Sequence, residues 1–248
     1  MQSISLKDIS TRAPEGCNKE QTKQRTKEIL DELDELQNLL YAQSKFSVLI
    51  IIQGMDASGK DGAIRDVFGQ MNPQGVRVTS FKVPTEEELS HDFLWRIHKE
   101  VPAKGMIQIF NRSHYEDVLV TRVHSWIDDA VAEKRMNAIN DFERLLVQHN
   151  DTRILKFYLH VSAEEQKERL DERVHDPRKQ WKYNEKDFHE AALIEKYWAA
   201  YEQCFRHCNQ VPWTIVPADQ NWYKEFIIAS QFRDLLLSLD MQYPGIKK

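Results

Sequence analysis

Cysteine is scarce in this chain. Cys17, Cys204 and Cys208 are the only three among 248 residues, and they form neither an even disulfide framework nor a Cys-x-x-Cys metal pattern. That excludes a disulfide-stapled secreted scaffold and fits free thiols in a reducing compartment. Long hydrophobic runs are missing too. No stretch reaches the roughly 18 apolar residues of a membrane span, and the polar N-terminus has no signal-peptide core. The expectation is a soluble, cytoplasmic protein with no membrane partner. Positive charge is also in deficit, with 34 Lys and Arg against 39 Asp and Glu for a net −5. Global attraction therefore cannot hold a polyanion, and nucleic acid is not an expected partner. Any anionic ligand must instead be met by a local cluster of cations.

One such cluster is present. From Arg169 to Lys186 there are six Lys or Arg against four acids. Arg169 and Arg173 are four apart and so share a helical face, and Asp176-Pro177 should end that helix. Arg178-Lys179-Gln180-Trp181-Lys182-Tyr183 then interleaves cations with aromatic rings. This is the composition of a lid that neutralises phosphate and stacks a base, although as an isolated segment it also reads as a solvated charged helix and loop.

The rest of the chain alternates strand and helix. Residues 1–17 read as a loosely ordered arm, and 18–43 as an amphipathic helix with Ile29, Leu33, Leu36 and Leu40 on one face. That face suits either the body of the fold or a second subunit. Strand patterns follow at Val48 to Gln53, Val76 to Lys82, Met106 to Phe110, Ile154 to Val161 and Trp213 to Val216. Thr85 and Ser162 open helices, the latter with a capping box to Glu165. The expected fold class is α/β, a three-layer α/β/α arrangement of the phosphate-loop kinase type: one domain over 1–248, a parallel sheet and a helical lid near 165–190. In such sheets ligands sit beyond the carboxyl ends of the strands. Polar chemistry is therefore sought at Gly54 to Asp61, Lys82 to Thr85, Asn111 to Asp117 and Pro217 to Asp219.

The first of these segments, Gly54-Met55-Asp56-Ala57-Ser58-Gly59-Lys60-Asp61-Gly62, follows the apolar run 48–53 and reads as a phosphate-binding loop. Its glycines permit tight turns, the helix that follows presents its N-terminus to an anion, and Lys60 adds a mobile positive charge. Where the usual loop has Ser or Thr to help hold Mg²⁺, this one has Asp61. A second carboxylate, Asp56, lies inside the loop and calls for a cation. The segment Asn111-Arg112-Ser113-His114-Tyr115-Glu116-Asp117 places a neutral residue where a metal-binding acid is usual, with Glu116 and Asp117 about one turn later as candidate Mg²⁺ ligands. Arg112 offers forked hydrogen bonds to a transferring phosphoryl group. His91, His98, His114 and His124 have no zinc-site spacing, and Tyr197, Trp198, Tyr201 and Phe205, beside Cys204, His207 and Cys208, read as packing surface.

With those three motifs in order, over residues of about 45 to 240, the chain resembles the polyphosphate kinase 2 family in the thymidylate-kinase-like branch of phosphate-loop kinases. Its second motif is similar to the subgroup called class III. The resemblance implies reversible phosphoryl transfer between inorganic polyphosphate and nucleotides (AMP to ADP and ADP to ATP, with guanine nucleotides as further acceptors), supported by Mg²⁺ or Mn²⁺ in a homo-oligomer. It implies catalytic roles for Asp56, Lys60 and Arg112 and metal ligation by Asp56, Glu116 and Asp117. Gly54, Ala57, Ser58, Gly59, Lys60, Asp61, Arg65, Arg112, Arg169, Arg173, Lys179 and Lys182 are its implied phosphate contacts. Asn111, Glu116, Asp117 and Trp181 fall on the nucleotide side. The chain departs from the pattern at Asn221, where relatives commonly have Lys, which puts a role for the Pro217-Ala218-Asp219 turn in question. An ATP-dependent nucleoside or nucleotide kinase, and a nucleotide-binding switch or assembly protein, are the competing readings. The two loop aspartates oppose the first. The second lacks a guanine-reading Asn-Lys-x-Asp motif.

Overall fold

In the computed structural model, which describes residues 4–246, the chain runs through α1 (Lys19–Gln43), β1 (Ser47–Gly54), α2 (Lys60–Phe68), β2 (Val76–Ser80), α3 (Glu86–Leu89) and α4 (Trp95–His98). It continues through β3 (Ile107–Asn111), α5 (Glu116–Val123), α6 (Asp129–His149), β4 (Thr152–His160) and α7 (Ala163–His175). The last elements are α8 (Glu185–Ala191), α9 (Ile194–His207), β5 (Trp213–Pro217) and α10 (Asn221–Leu237).

β1 is buried at every position, which is why its sequence is an unbroken β-branched and aliphatic run rather than an alternating one. It is the centre of a five-stranded sheet of order β2-β3-β1-β4-β5. All four pairings are parallel, with Ile50 opposite both Ile109 and Leu155. α1, α2 and α10 pack together as one helical layer, and α5, α6 and α9 as the other. Strand order reverses on either side of β1, so the carboxyl ends of β1 and β3 open onto one crevice.

Local signals place the helix ends. Asn18 caps α1 through Gln21 N at 3.0 Å, and Thr85 and Glu88 form a reciprocal capping box on α3. Ser162 caps α7 through Glu165 N at 3.2 Å, while the Glu165 carboxylate, expected to complete that box, takes Arg169 Nε at 2.8 Å. α7 stops at His175, before Asp176-Pro177.

Two expectations are resolved. The apolar face of α1 is used within the chain: Ile29, Leu33 and Leu40 are buried and the helix packs on α10. The arm over 1–17 is not loose where it is described. Leu6 is wholly buried, with its N–H donating to Glu202 Oε1 at 2.8 Å and its carbonyl 3.0 Å from His160 Nε2. Thr11 Oγ1 donates to Asp219 Oδ2 at 2.7 Å. One buried leucine and a few hydrogen bonds anchor a segment whose polar composition gave no sign of it; residues 1–3 lie outside the described residues. Cys204 and Cys208 are buried free thiols packed among Tyr201 and Phe205. Among the described residues no helix is long and apolar enough to cross a membrane.

Candidate active site

The loop after β1 turns back over its own strand. Lys60 Nζ donates to Gly54 O at 2.8 Å and Met55 O at 2.9 Å, which curls residues 54–60 around an ammonium that is 8% exposed. Burial, and next the neighbouring Arg112 guanidinium, lower the Lys60 pKa to about 8. Gly59 has φ of 91°, and a Cβ there would lie 2.6 Å from Lys224 Nζ, so a side chain would strain the backbone and push the Lys224 ammonium from its place.

Arg112, just past β3, reaches across to the same loop. Its backbone sits in the left-handed region with φ of 63°, a conformation that costs a non-glycine residue about 1 kcal/mol or more and marks an imposed geometry. Nη2 bonds Asp56 Oδ1, and Nη1 donates to Glu116 Oε2 at 3.2 Å. Burial opposes its charge, but Glu116 and Asp56 more than offset this and raise its pKa. Asp56, Arg112 and Glu116 thus form a row in which one cation joins two carboxylates.

On one side of that row lies an open groove of about 800 Å³. Ten basic side chains line it against five acidic ones: Lys60, Arg65, Lys82, Arg112, Arg169, Arg173, Arg178, Lys179, Lys182 and Lys224, with Asp56, Asp61, Asp66, Glu172 and Asp176. A chain of net charge −5 has therefore concentrated its cations on one concave surface. On the other side is a small cavity of about 20 Å³ bordered by Glu116, Leu119, Glu190, Tyr197 and Tyr201.

The structure sorts the sequence candidates. Asp56, Ala57, Gly59, Lys60, Asp61, Arg65, Asn111, Arg112, Arg169, Arg173, Lys179, Trp181 and Lys182 all line the groove. Gly54 and Ser58 do not: Gly54 borders the small cavity, and Ser58 is fully buried with its N–H on Met55 O at 3.2 Å. Asp117, expected beside Asp56 and Glu116, lies 3.8 Å from Arg135 instead, and burial raises its pKa to about 6 against the pull of Arg96 and Arg135. Arg65 projects to solvent beside Asp66 at 2.7 Å. Arg169 acts as a strut, donating to Ala57 O at 3.1 Å, Ala218 O at 2.8 Å and Asp219 O at 3.1 Å. Asp61, at the usual hydroxyl position, accepts from Asn111 Nδ2 and from Lys182 Nζ, each at 2.9 Å. Burial raises the pKa of that carboxyl, but the bonds from Lys182 and Asn111 outweigh it and hold the pKa below the usual value.

Lys224 was missed by the sequence reading. It is 1% exposed, donates to Gly59 O at 3.2 Å and Asn221 Oδ1 at 2.8 Å, and has its pKa lowered to about 8 by burial and then by Arg169. The turn after β5 thus meets the phosphate loop after all, through Asn221 and the lysine one turn beyond it. The available signal was spacing: Lys224, Ile228, Phe232 and Leu236 share the buried stripe of α10, and a lysine in such a stripe needs a polar destination. Gln166, also unpredicted, donates to Asp56 O at 2.9 Å.

Among the described residues no group of three His, Cys, Asp or Glu side chains converges as a self-sufficient metal site. The paired carboxylates of Asp56 and Glu116 fit Mg²⁺ nonetheless, because that ion is usually bound by one or two carboxylates together with substrate phosphates and waters.

A parallel sheet with a lysine-bearing loop after its central strand, an arginine after the neighbouring strand and a basic segment over both defines a phosphate-loop kinase. The sequence model of the polyphosphate kinase 2 family matches residues 16–244. An AMP/ADP-polyphosphate phosphotransferase of Meiothermus ruber is 49% identical over 214 residues, covering 86% of this chain and 80% of that protein. An ADP-polyphosphate phosphotransferase of Rhodopseudomonas palustris is 42% identical over 229 residues, covering 87% and 79%. The crystal structure of polyphosphate kinase 2 from Arthrobacter aurescens superposes with a TM-score of 0.96 at 41% identity, over 100% of this chain and 90% of that one. The chain belongs to the polyphosphate kinase 2 family, and is a phosphotransferase of that family.

Proposed function

We propose that the groove binds inorganic polyphosphate and that the chain moves phosphoryl groups reversibly between it and adenine nucleotides, with both AMP and ADP as acceptors. The observation that carries this reading is the convergence of Lys60 and Arg112, from the ends of two adjacent strands, on a groove in which basic side chains outnumber acidic ones ten to five. Such a lining suits a ligand charged along its whole length. Transfer needs no covalent nucleophile; in-line positioning and charge neutralisation suffice. Lys60 and the α2 N-terminus hold the phosphate to be transferred. Arg112 turns from its carboxylates to the phosphoryl oxygens, where its fork matches their geometry. Asp56 and Glu116 are the residues to hold Mg²⁺, or Mn²⁺ in its place, which when bound neutralises charge on the phosphate oxygens. Arg173, Arg178, Lys179 and Lys182 clamp the polyphosphate behind the reacting group, and Trp181, 78% exposed, offers a face to the base. The same reading places the protein in the cytoplasm as a homo-oligomer.

The test is direct. Purified protein with Mg²⁺, long-chain polyphosphate and AMP or ADP should form ADP and ATP. Asp56→Asn and Lys60→Ala should each reduce the rate on the order of a hundredfold, as loss of a charge-stabilising donor does. Absence of product, or product only when ATP replaces polyphosphate as donor, would sink the proposal.

A pH dependence follows from the two buried lysines that line the groove, Lys60 and Lys224. Each binds phosphate only when protonated, and each has a pKa of about 8 in the free protein. Because kcat/KM reports free-enzyme ionisations, kcat/KM for polyphosphate should be flat below pH 8 and fall above it, with a log–log slope approaching −2. Lys224→Arg removes one ionisation, since guanidinium keeps its proton throughout this range, and the limiting slope should become −1. An unchanged slope in that variant would separate Lys224 from phosphate binding.

A further inference from the structure

The residue after the P-loop lysine normally gives a hydroxyl to the metal, yet Asp61 is engaged with other partners. Its Oδ2 takes Lys182 Nζ and its Oδ1 takes Asn111 Nδ2, each at 2.9 Å. Those three residues come from the first turn of α2, the short 3-10 turn Gln180–Lys182 between α7 and α8, and the last position of β3. Lys182 is 121 positions from Asp61 in sequence, so the contact ties the basic segment over the groove to its floor. The other lysines and arginines between Arg173 and Lys182 pair within residues 172–187, Lys179 with Glu172, Arg178 with Asp176 and Arg173 with Asp187. The neighbouring Trp181 side chain is likewise bonded within the segment, to Arg178 O at 3.0 Å.

We propose that Asp61 is a positioning residue of the phosphotransfer reaction: it holds the lid over the groove by fixing Lys182 toward Lys60, and it does not ligate the metal. The proposal rests on the reading of the groove as the polyphosphate site. An ammonium has three donors, so Lys182 keeps its bond to Asp61 while offering another to a phosphate oxygen. The carboxylate thereby pre-orders a lid cation for substrate, lowering the ordering cost of closing the lid. Asn111, on the sheet, fixes the other carboxylate oxygen, so the anchor for the lid is itself held by the core.

The test uses the full chain in three variants, Asp61→Asn, Lys182→Met and the double variant, with three measurements. In limited trypsin digestion, cleavage after Arg178 and Lys179 should quicken about two- to fivefold in each single variant, the range for a partly exposed ion pair. The double variant should show no further increase, because both changes break one contact. KM for polyphosphate should rise by a similar factor in Asp61→Asn with kcat unchanged, and by more in Lys182→Met, which loses its phosphate contact as well as the anchor, and Mn²⁺ affinity of Asp61→Asn, read by electron paramagnetic resonance, should equal that of the wild type. Weakened Mn²⁺ binding with unchanged cleavage would make Asp61 a metal ligand and overturn the proposal. So would additive effects in the double variant, or a lowered KM, which would mean that Asp61 competes with phosphate for Lys182. If the wild type makes no nucleotide from polyphosphate, the functional reading fails, while the digestion data still decide whether the contact exists.

Discussion

Arg112→Ala is expected to lower polyphosphate-driven nucleotide formation by roughly a thousandfold or more, the range seen when an arginine that neutralises a transferring phosphoryl group is removed. The effect should fall on kcat, because the arginine's contacts to the transferring group are fully made only in the in-line transition state. Arg112 is 32% exposed, lies between Asp56 and Glu116, and is held at a φ of 63° that few side chains adopt. The fold therefore spends stability to aim this side chain, and a second variant shows it. Arg112→Gly removes the same charge and also relieves the left-handed backbone, so it should be as inactive as Arg112→Ala but more stable than it by about 1 kcal/mol in urea unfolding. Arg112→Lys keeps the charge without the fork and should recover only part of the rate. Wild-type kcat in Arg112→Ala would remove the arginine from the reaction, and equal stability of the Ala and Gly variants would show that the backbone is unstrained.

What the sequence disclosed is what is encoded locally. The run 48–52, the glycines after it and Lys60 lie within a few residues of one another, so strand, turn and helix could be read together. The 111–117 segment and the helix end at Asp176-Pro177 were legible in the same way. Pairings across the chain were hidden. Asp61 looked anomalous beside its own neighbours because its partner, Lys182, is 121 residues away. Asp117 looked equivalent to Glu116 in sequence, but one further residue on α5 turns it by about 100°, toward Arg135 rather than toward Arg112. Lys224 lies on the buried stripe of α10, and its partner Gly59 O is 165 positions away in the chain. The anchoring of residues 4–12 depended on Glu202, His160 and Asp219, which no property of the arm itself could reveal.

The largest effect on stability is expected beneath the arginine loop, where Lys156, Glu143 and Tyr115 are all fully buried. Lys156 Nζ places its donors on Tyr115 Oη at 2.8 Å, Glu143 Oε2 at 2.8 Å and Cys208 O at 2.9 Å, and Tyr115 Oη donates to Glu143 Oε1 at 2.8 Å. Lys156→Met leaves the Glu143 charge buried without its partner and should destabilise the fold by about 3–5 kcal/mol, roughly a 6–20 °C fall in the unfolding midpoint for a chain of this size. Adding Glu143→Leu removes the stranded charge and should restore part of the loss, since apolar replacement of a buried pair is often close to neutral, whereas the Tyr115 hydroxyl loses both its partners at a cost of about 1–3 kcal/mol. The Cys208 carbonyl remains bonded to Trp213 Nε1 at 3.2 Å. The pH dependence discriminates further. In the wild type, burial raises the Glu143 pKa, but His114 and Lys156 outweigh it and hold it below the ordinary carboxylate value. Its contribution to stability is therefore present at neutral pH and lost as pH falls through the carboxylate range. Buried His114 has its pKa lowered by the same desolvation, so it too costs stability below about pH 6.5, where the unfolded imidazole takes up a proton. In Lys156→Met, burial dominates at Glu143 and raises its pKa above the unfolded value, which reverses the sign for that residue. The stability gap between wild type and Lys156→Met, measured by urea unfolding, should therefore narrow between pH 7 and pH 5. A gap that stays constant would mean that Glu143 is neutral in both proteins and that the network is held by hydrogen bonds alone.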